Sequence, residues 1–401
     1  MPILLSAQTN SLQLSAEFRS RIILDNGYKS PPTKNQNAIL YTTQRTRFNT
    51  LFVHTKFQTY LSIQDVRIWG DDDNYNSNGH YGNTQSLSLH EGWIKLTLIK
   101  YWSLKLGRQV LSYDDQRILS ARNWNNYQVT YDAALVEYKR NKHRVHLAFS
   151  YNAYHKSDQT YPPELFKAYH LIHYKHTADA LSLSGITVIS GNTLTDSTEH
   201  IYYRATYGVN TNYKNTQRRL RLSAYYQHNL NNHEKKRSAF CISAYAAHKI
   251  TEKTILGIGY DLISGDDGSS STNQQFDILY GRRHGWYGYM DYFSTTPQQG
   301  LQDILAKGSY TPGNKASISL HYHYFLLATH MHNSSPKKLG QELDFQLKYK
   351  IQNVATLECG YSLFFTTNTL NQLKDLHKEK GKIPQFGYIM CTIKPSAWIN
   401  Y

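Results

Sequence analysis

The sequence predicts an all-β fold, namely a transmembrane antiparallel β-barrel of about 18 strands with short periplasmic turns and long extracellular loops. Three observations lead to this prediction. Segments of about 10 residues that alternate between apolar and polar side chains recur along the chain, which is the period of a strand with two different faces. The mean hydropathy is only −0.59, as expected where only every second residue of a strand faces lipid. The chain also contains 34 tyrosines, a residue that is enriched at membrane interfaces. The connections between the segments are alternately short and long, as in outer-membrane barrels.

The predicted strands follow one another along the whole chain. The first, 11–24, places Leu12 and Phe18 on one face and Arg19 on the other, and the second, 40–54, alternates in the same way. The remaining predicted strands are 57–69, 86–97, 103–110, 129–140, 143–152, 168–176, 180–190, 200–209, 217–228, 238–250, 253–263, 300–308, 316–327, 341–351, 354–366 and 386–394.

The composition excludes several other classes of protein. No stretch approaches the roughly 18 to 20 consecutive apolar residues of a transmembrane helix. No break in composition divides the chain, so we expect a single barrel domain over 11–401, preceded by a segment, 1–10, that could be a signal-peptide remnant cut after Ala7. The three cysteines lack metal-ligand spacing and are interpreted as strand residues. The net charge of +15 favours anionic partners such as nucleic acid, membrane surfaces or acidic solutes.

Arginine recurs on the polar faces of the predicted strands. A charged side chain facing lipid near mid-bilayer costs about 2 to 4 kcal/mol, so we expect these arginines to face the lumen. Rings of Arg or Lys select anions in pores. The alternative interpretation is that such arginines only complete ion-pair networks that stabilise the barrel. The predicted lumen-lining residues of the strands are Arg19, Arg21, Arg45, Arg47, Arg67, Arg204, Arg219 and Arg221, with Glu17, Glu91 and Asp132 as acidic partners.

The stretch 104–132 carries the most distinctive motif. A strand ends in Leu106-Gly107-Arg108-Gln109, a polar loop with Arg117, Arg122 and Trp124 follows, and the next strand is entered through Asp132. This stretch resembles the alginate-export family of outer-membrane β-barrels, and the resemblance spans nearly the whole chain. Further motifs that carry it, in the same order, are His90-Glu91-Gly92-Trp93, Gly257-Ile258-Gly259-Tyr260, Ser264-Gly265, Arg283-His284, Tyr322-His323 and Gln341-Glu342-Leu343-Asp344.

The resemblance implies an 18-stranded barrel whose arginine-lined constriction passes an acidic uronic-acid polysaccharide. Carried over by motif, Glu91 and Arg108 become the first candidates for the constriction, and Arg117, Arg122 and Asp132 follow them.

Two departures from the family pattern favour a more open, anion-selective pore. The second outer loop, 70–85, is short where the family's alginate exporter has a long lid. A turn at 352–354 stands where that exporter has a periplasmic plug. The longest outer loop, 264–299, is then the candidate gate, and it would fold inward with Arg282, Arg283 and His284.

Other motifs indicate no further chemistry. Asp71-Asp72-Asp73-Asn74 and Asp266-Asp267 resemble calcium-binding sequences but lack the Gly and Glu of an EF-hand, so solvated turn residues are the favoured interpretation and no cofactor is expected. His321 and His323 share a strand face and could bind a metal, but histidines without a metal are far commoner and we predict none. No spacing suggests a nucleophile with its base, so no enzyme is expected, and the scattered arginines do not form a nucleic-acid patch.

These observations predict an integral protein of the Gram-negative outer membrane that passes anionic solutes, in particular an acidic oligo- or polysaccharide. Outer-membrane lipid and lipopolysaccharide are expected partners, with loop lysines such as Lys235 and Lys236 as contacts for lipopolysaccharide phosphates. Periplasmic or outer-membrane proteins are further candidate partners. The alternative is a non-transporting barrel that acts as a structural, adhesion or complex-partner protein through its outer loops.

Overall fold

The structure, a computed structural model, describes residues 10–70, 87–151, 167–192, 201–231, 236–331, 336–376 and 382–400. These residues form nineteen β-strands and one short helix. The strands are β1 (Ser11–Asn26), β2 (Ile39–Val53), β3 (Phe57–Ile68), β4 (Leu87–Ile99), β5 (Trp102–Gln109), β6 (Tyr131–Arg140), β7 (His143–Tyr151), β8 (Ala168–Ala178), β9 (Leu181–Asn192), β10 (Tyr202–Lys214), β11 (Arg218–Asn229), β12 (Ala239–Lys249), β13 (Thr254–Ile263), β14 (Leu301–Tyr310), β15 (Ala316–Leu326), β16 (Lys338–Gln352), β17 (Ala355–Thr366), β18 (Gln385–Ile393) and β19 (Ser396–Asn400), and helix α1 (Asn368–Leu373) follows β17.

The strands close into a single antiparallel barrel. From β1 to β18 each strand pairs with its neighbours in sequence, and β1 also pairs with β18 and β19. A break at Pro395 separates β18 from β19, and the N–H of Ala16 donates to the Pro395 carbonyl across it (3.0 Å). The two segments together make the last strand, so the barrel has 18 strands and the predicted fold class is confirmed.

The two faces of the wall differ as the alternation predicts. Phe18, Phe48 and Ile258 point outward and are 36%, 49% and 69% exposed, as expected for side chains that face lipid. Arg45, which pairs with Arg19 across β1 and β2, points inward and is 1% exposed. The outward face is therefore apolar and the inward face polar.

Two long loops fold into the lumen, where they contact each other. The β5–β6 loop (110–130) and the β13–β14 loop (264–300) meet in a short parallel pairing at Leu119 and Tyr280, and the Ser120 N–H donates to the Tyr280 carbonyl (3.1 Å). Their apolar side chains form a core inside the barrel, in which Leu119 and Met290 are fully buried. An 18-stranded barrel is too wide for its own side chains to fill, and these loops occupy that space.

No helix among the described residues is long and apolar enough to span a membrane. The predicted segment 1–10, except Asn10, and the acidic run 71–74 lie outside the described residues, as does most of the second outer loop. Asp266 and Asp267, the other acidic pair, accept hydrogen bonds from the N–H groups of Gly268 (2.8 Å) and Ser269 (2.9 Å), as turn residues do.

Near the end of β5, Gly107 lies so close to β4 that the site has no room for a side chain. Gly107 has φ +117°, and a Cβ there would lie 2.3 Å from the Gly92 carbonyl oxygen. We expect Gly107→Ala to lower the free energy of unfolding by about 1 to 3 kcal/mol through backbone strain, and by more where the strands must separate. Urea unfolding of the barrel in detergent measures this. Gly308→Ala is the matched control because its Cβ makes only an ordinary contact (3.6 Å) with Leu256; equal losses for the two variants would contradict the prediction.

Candidate functional site: the lumen and its two inward loops

Arg117 anchors the β5–β6 loop to the inner face of the wall at β12 and β13. Its guanidinium, 3% exposed, donates to the Asp261 carboxylate of β13 (2.7 Å) and to the Tyr287 hydroxyl of the β13–β14 loop (2.7 Å). It also lies 4.1 Å from the centre of the Trp286 ring, close enough for a cation–π contact. Burial disfavours the charge, but Asp261 offsets this and holds the pKa of Arg117 above its ordinary value. One arginine therefore joins both loops to the wall.

The same loop is fastened to the wall formed by β8 to β11. Asp114 accepts a hydrogen bond from Ser184 (2.7 Å) and lies 3.1 Å from His173 Nε2. Asp115 accepts a hydrogen bond from the Tyr225 hydroxyl (3.0 Å). The loop thus begins on one side of the lumen and crosses toward β1 and β2.

On the far side of the lumen the loop meets four inward arginines, which we call the arginine ladder: Arg19, Arg21, Arg45 and Arg47. Arg19 Nη1 donates to the Asn123 carbonyl (2.5 Å), and Arg21 Nη2 donates to the Trp124 carbonyl (2.7 Å). Each of the four is at most 6% exposed. The loop covers them.

The rest of the ladder is bonded in the same way. Arg45 Nε donates to Glu17 (2.8 Å), and Arg47 Nη1 donates to Gln128 Oε1 (2.7 Å). The four arginines point inward, in the direction that the alternation predicts. Their guanidiniums are directed at the loop and at Glu17, which favours the alternative interpretation of the ladder as a stabilising network.

The register puts Arg108 and Asp132 on the outward side of the wall. They are directly opposite each other in β5 and β6, next to the pair Leu106 and Ala134, and Leu106 is 38% exposed toward the lipid. The two charges form an ion pair (Nη2–Oδ2 2.8 Å) with side chains 40% and 58% exposed. The expectation that they line the constriction disagrees with this register, because side chains two positions apart on a strand share a face.

Arg67 is outward for the same reason. It pairs with Gln44, whereas the next residue of β2, Arg45, points inward. Its guanidinium is bonded to Asp65 on its own strand (Nε–Oδ2 2.8 Å). The expectation that Arg67 lines the lumen therefore also disagrees with the structure.

Two other predicted residues act at the β5–β6 loop. Glu91 points inward and accepts a hydrogen bond from the N–H of Val110, where the loop begins (3.2 Å). Arg122 donates to the carbonyls of Gly281 (2.9 Å) and Leu279 (3.1 Å) and so joins this loop to the β13–β14 loop.

The β13–β14 loop is held from several sides. Arg204 of β10 donates to Asp277 of this loop (2.5 Å). The His284 ring is stacked on Trp124 of the other loop, with centroids 3.7 Å apart and planes at 3°. Arg283 is half-buried beside it. The loop lies inside the barrel, where the sequence predicted it, and its action as a gate stays a prediction.

Five further cations on the inward side of the barrel are more exposed than the arginine ladder. Arg219, Arg282 and Lys348 are exposed, and Lys307 and Arg221 are half-buried. Lys307 lies within electrostatic range of all the others. We call these five residues the lumen cation cluster.

Sequence reasoning found only part of the cluster. Arg219, Arg221 and Arg282 were predicted, and the structure brings them together. Lys307 and Lys348 were not predicted, because the predicted set of lumen cations contains only arginines, and these two lysines lie at inward positions of β14 and β16. The same alternation that identified the arginines would have found them.

The chain belongs to a defined family of outer-membrane proteins. The family described as alginate export matches residues 11–380. The chain is therefore a member of the alginate export family, an outer-membrane barrel of a Gram-negative cell and a transport protein, not an enzyme. No curated protein matches its sequence.

Solved structures of similar fold are outer-membrane proteins at low sequence identity. OccAB1 of Acinetobacter baumannii superposes with a TM-score of 0.65 at 12% identity, covering 96% of each chain. The outer membrane protein OpdK of Pseudomonas aeruginosa has a TM-score of 0.61 at 10% identity, with 96% of this chain and 99% of that chain covered. A structure of OpdK with vanillate has a TM-score of 0.62 at 10% identity over the same shares. These likenesses support the barrel fold.

The anchor at Arg117 gives a test of how the loops are held. Arg117→Met leaves the Asp261 carboxylate buried without its cation, and breaking a buried pair in this way costs about 3 to 5 kcal/mol. We expect the free energy of unfolding in urea to fall by this amount and the β5–β6 loop to become sensitive to protease. Arg218→Met, at an exposed position at the start of β11, is the control and should change neither. A wild-type stability for Arg117→Met would mean that the anchor is not needed.

Proposed function

We propose that the chain is a channel for anionic solutes and that the lumen cation cluster selects them. The single observation that carries this proposal is the cluster itself: five basic side chains gathered on the inward side of the barrel, each exposed or half-buried, although Arg282 Nε also donates to the His284 carbonyl of its own loop (2.7 Å). Basic groups lining a pore favour anions, and several weak sites let a solute enter and leave.

The cluster differs from the arginine ladder in what its members contact. Arg221 lies 4.7 Å from the centre of the Tyr245 ring and 5.0 Å from that of Trp286, which steadies the guanidinium and leaves its charge uncompensated by these neighbours. Lys348 is bonded to Glu358 (3.0 Å) but keeps a side chain that is 49% exposed. The ladder donates to buried carbonyls, whereas the cluster presents its charge to the lumen.

The solute class that we propose is an acidic oligo- or polysaccharide. The family description, alginate export, supports it, because alginate carries one carboxylate per sugar and would engage several cations at once. OpdK, which has a similar fold, has been solved with the carboxylate vanillate, so small organic anions are the solute class to test beside acidic polysaccharides. Since Arg282 belongs to both the cluster and the β13–β14 loop, this loop is the proposed gate.

A second candidate function is the non-transporting barrel. The observation that favours it is the apolar core that the two inward loops build across the lumen. A structural barrel would stay closed, so conductance separates the two proposals.

Neutralising the cluster tests the selectivity. A unit charge at about 8 Å in water contributes about 0.5 kcal/mol, so replacing three charges should lower the anion preference roughly tenfold. We expect the triple variant Arg221→Gln, Arg282→Gln, Lys307→Gln to shift the reversal potential in a planar bilayer under a salt gradient toward the cation value. Arg218→Gln, an arginine of the same strand on the outward side, should leave the potential unchanged. Unchanged selectivity in the triple variant would refute the role of the cluster.

Addition of polymer tests the solute class. We expect alginate to reduce the current of the wild-type channel, the neutral polymer dextran of matched size to have no effect, and the triple variant to lose the block. Anion preference without block would retain the channel and discard alginate as its solute. A barrel without conductance would favour the non-transporting function.

A further inference from the structure

A second cluster of titratable side chains lies in the wall at β15 and β16, next to Lys307 of the lumen cation cluster. His321 and His323 are two residues apart and share the inward face of β15. Asp344 is paired with His321 across the strands, and Glu342 with His323. Each of the four is at most 5% exposed.

Several polar atoms of this cluster have no hydrogen-bond partner within the described part of the chain. They are Nε2 of His321, Nε2 of His323, Oε2 of Glu342 and both carboxylate oxygens of Asp344, which count as unpartnered only while both carboxyl groups are ionised: a proton on one of them would bond Glu342 to Asp344, and the Ser362 hydroxyl lies beside Asp344. A buried polar group without a partner costs about 1 to 3 kcal/mol, and a charged one costs more. So many in one place indicate a missing component.

The orientation of His323 fits a metal ligand. Its Nδ1 lies 2.8 Å from Asp303 Oδ2, and a ring that carries its proton on Nδ1 donates it to this carboxylate and leaves the Nε2 that faces Asp344 free to bind a metal. This carboxylate–histidine arrangement is the one that orients histidines at metal sites.

The distances also suit a metal. His323 Nε2 and Asp344 Oδ2 are 3.7 Å apart, too far for a hydrogen bond but close to the roughly 3.3 Å that separates two ligands of a tetrahedral zinc ion with bonds of about 2.0 Å. The ligand atoms of His321, His323 and Asp344 all lie within 4.8 Å of one another.

We propose that His321, His323 and Asp344 bind a divalent transition-metal ion, Zn²⁺. Imidazole with carboxylate suits zinc, whereas calcium and magnesium prefer oxygen ligands alone. This revises the sequence-based expectation of no metal, in which the two histidines were weighed without the carboxylates of β16.

The surrounding charge supports a cation. Three carboxylates, those of Asp303, Glu342 and Asp344, surround His323. Lys307, opposite His321 on β14, and Arg282 both lie within electrostatic range of His321 and oppose binding, but two positive charges do not balance the three acids. A proton shared between Glu342 and Asp344 is the competing way to neutralise the cluster, and the experiment below distinguishes the two.

The site lies where Glu342, a neighbour of the three ligands, joins the barrel wall to the β13–β14 loop. Glu342 Oε1 accepts hydrogen bonds from the N–H groups of Tyr289 (2.5 Å) and Met290 (2.7 Å) of that loop. His321, His323 and Asp344 supply three protein ligands, which leaves one position of a tetrahedral zinc ion open.

Metal content tests the proposal. The full chain is refolded with Zn²⁺, freed of loose metal by chelator and dialysis, and analysed by mass spectrometry for metal. We expect about one ion per chain in the wild type, at least a tenfold loss in His321→Gln and in Asp344→Asn, and no loss in His228→Gln, a histidine stacked on Tyr207 and Tyr226. Wild-type protein without zinc, or equal zinc in all variants, would overturn the proposal.

A second measurement uses only the wild-type chain, so that a variant that fails to fold does not decide the result. Refolding with Co²⁺ in place of Zn²⁺ should produce the intense visible absorption of a tetrahedral cobalt site with nitrogen and oxygen ligands. Folding is checked by the heat-dependent mobility of the barrel in electrophoresis. A folded barrel with no such absorption would favour the shared proton and refute the metal.

Discussion

The closure of β1 onto β18 and β19 is the constraint on which the rest of the structure depends. A sheet in a bilayer has no water to satisfy the backbone groups of an open edge, so every strand must be paired on both sides. Closure sends alternate side chains to lipid and to lumen, which explains the apolar exterior and the arginines inside. It also creates an interior that strand side chains cannot fill, and the two inward loops occupy it.

The inward loops need anchors, and charge provides them. Arg117 joins both loops to β13, and the arginine ladder receives the loop carbonyls at β1 and β2. A buried guanidinium that donates to carbonyls stabilises the fold, because losing these partners would leave a buried charge unpaired and lower the free energy of unfolding. Only a cation that still faces the lumen can meet a solute. An inward position alone therefore does not show what an arginine does. Its contacts decide whether it stabilises the fold or is a candidate for ion selectivity.

Much of the fold was predictable from local patterns. The predicted strands, their order and the alternation of short and long connections agree with the barrel, since a period of two residues is a property of each segment by itself. Alternation along β5 also predicts the correct face for Arg108, because it lies two residues after the outward Leu106. The family resemblance assigned Arg108 to the constriction instead, and the register with Asp132 corrects this. The register with Gln44 likewise places Arg67 outward, one position from the inward Arg45.

By itself, the sequence determined the class of fold, the number of strands and the inward direction of most of the charged residues, because these follow from alternation along each strand. Only the tertiary structure decided which charges are covered and which residues meet. Arg19 contacts a carbonyl 104 residues away, and Arg117 an acid 144 residues away. The lumen cation cluster and the His321–Asp344 cluster likewise join different strands. Such meetings depend on the register between strands and on the path of two loops through the lumen, and no local period in the sequence encodes either.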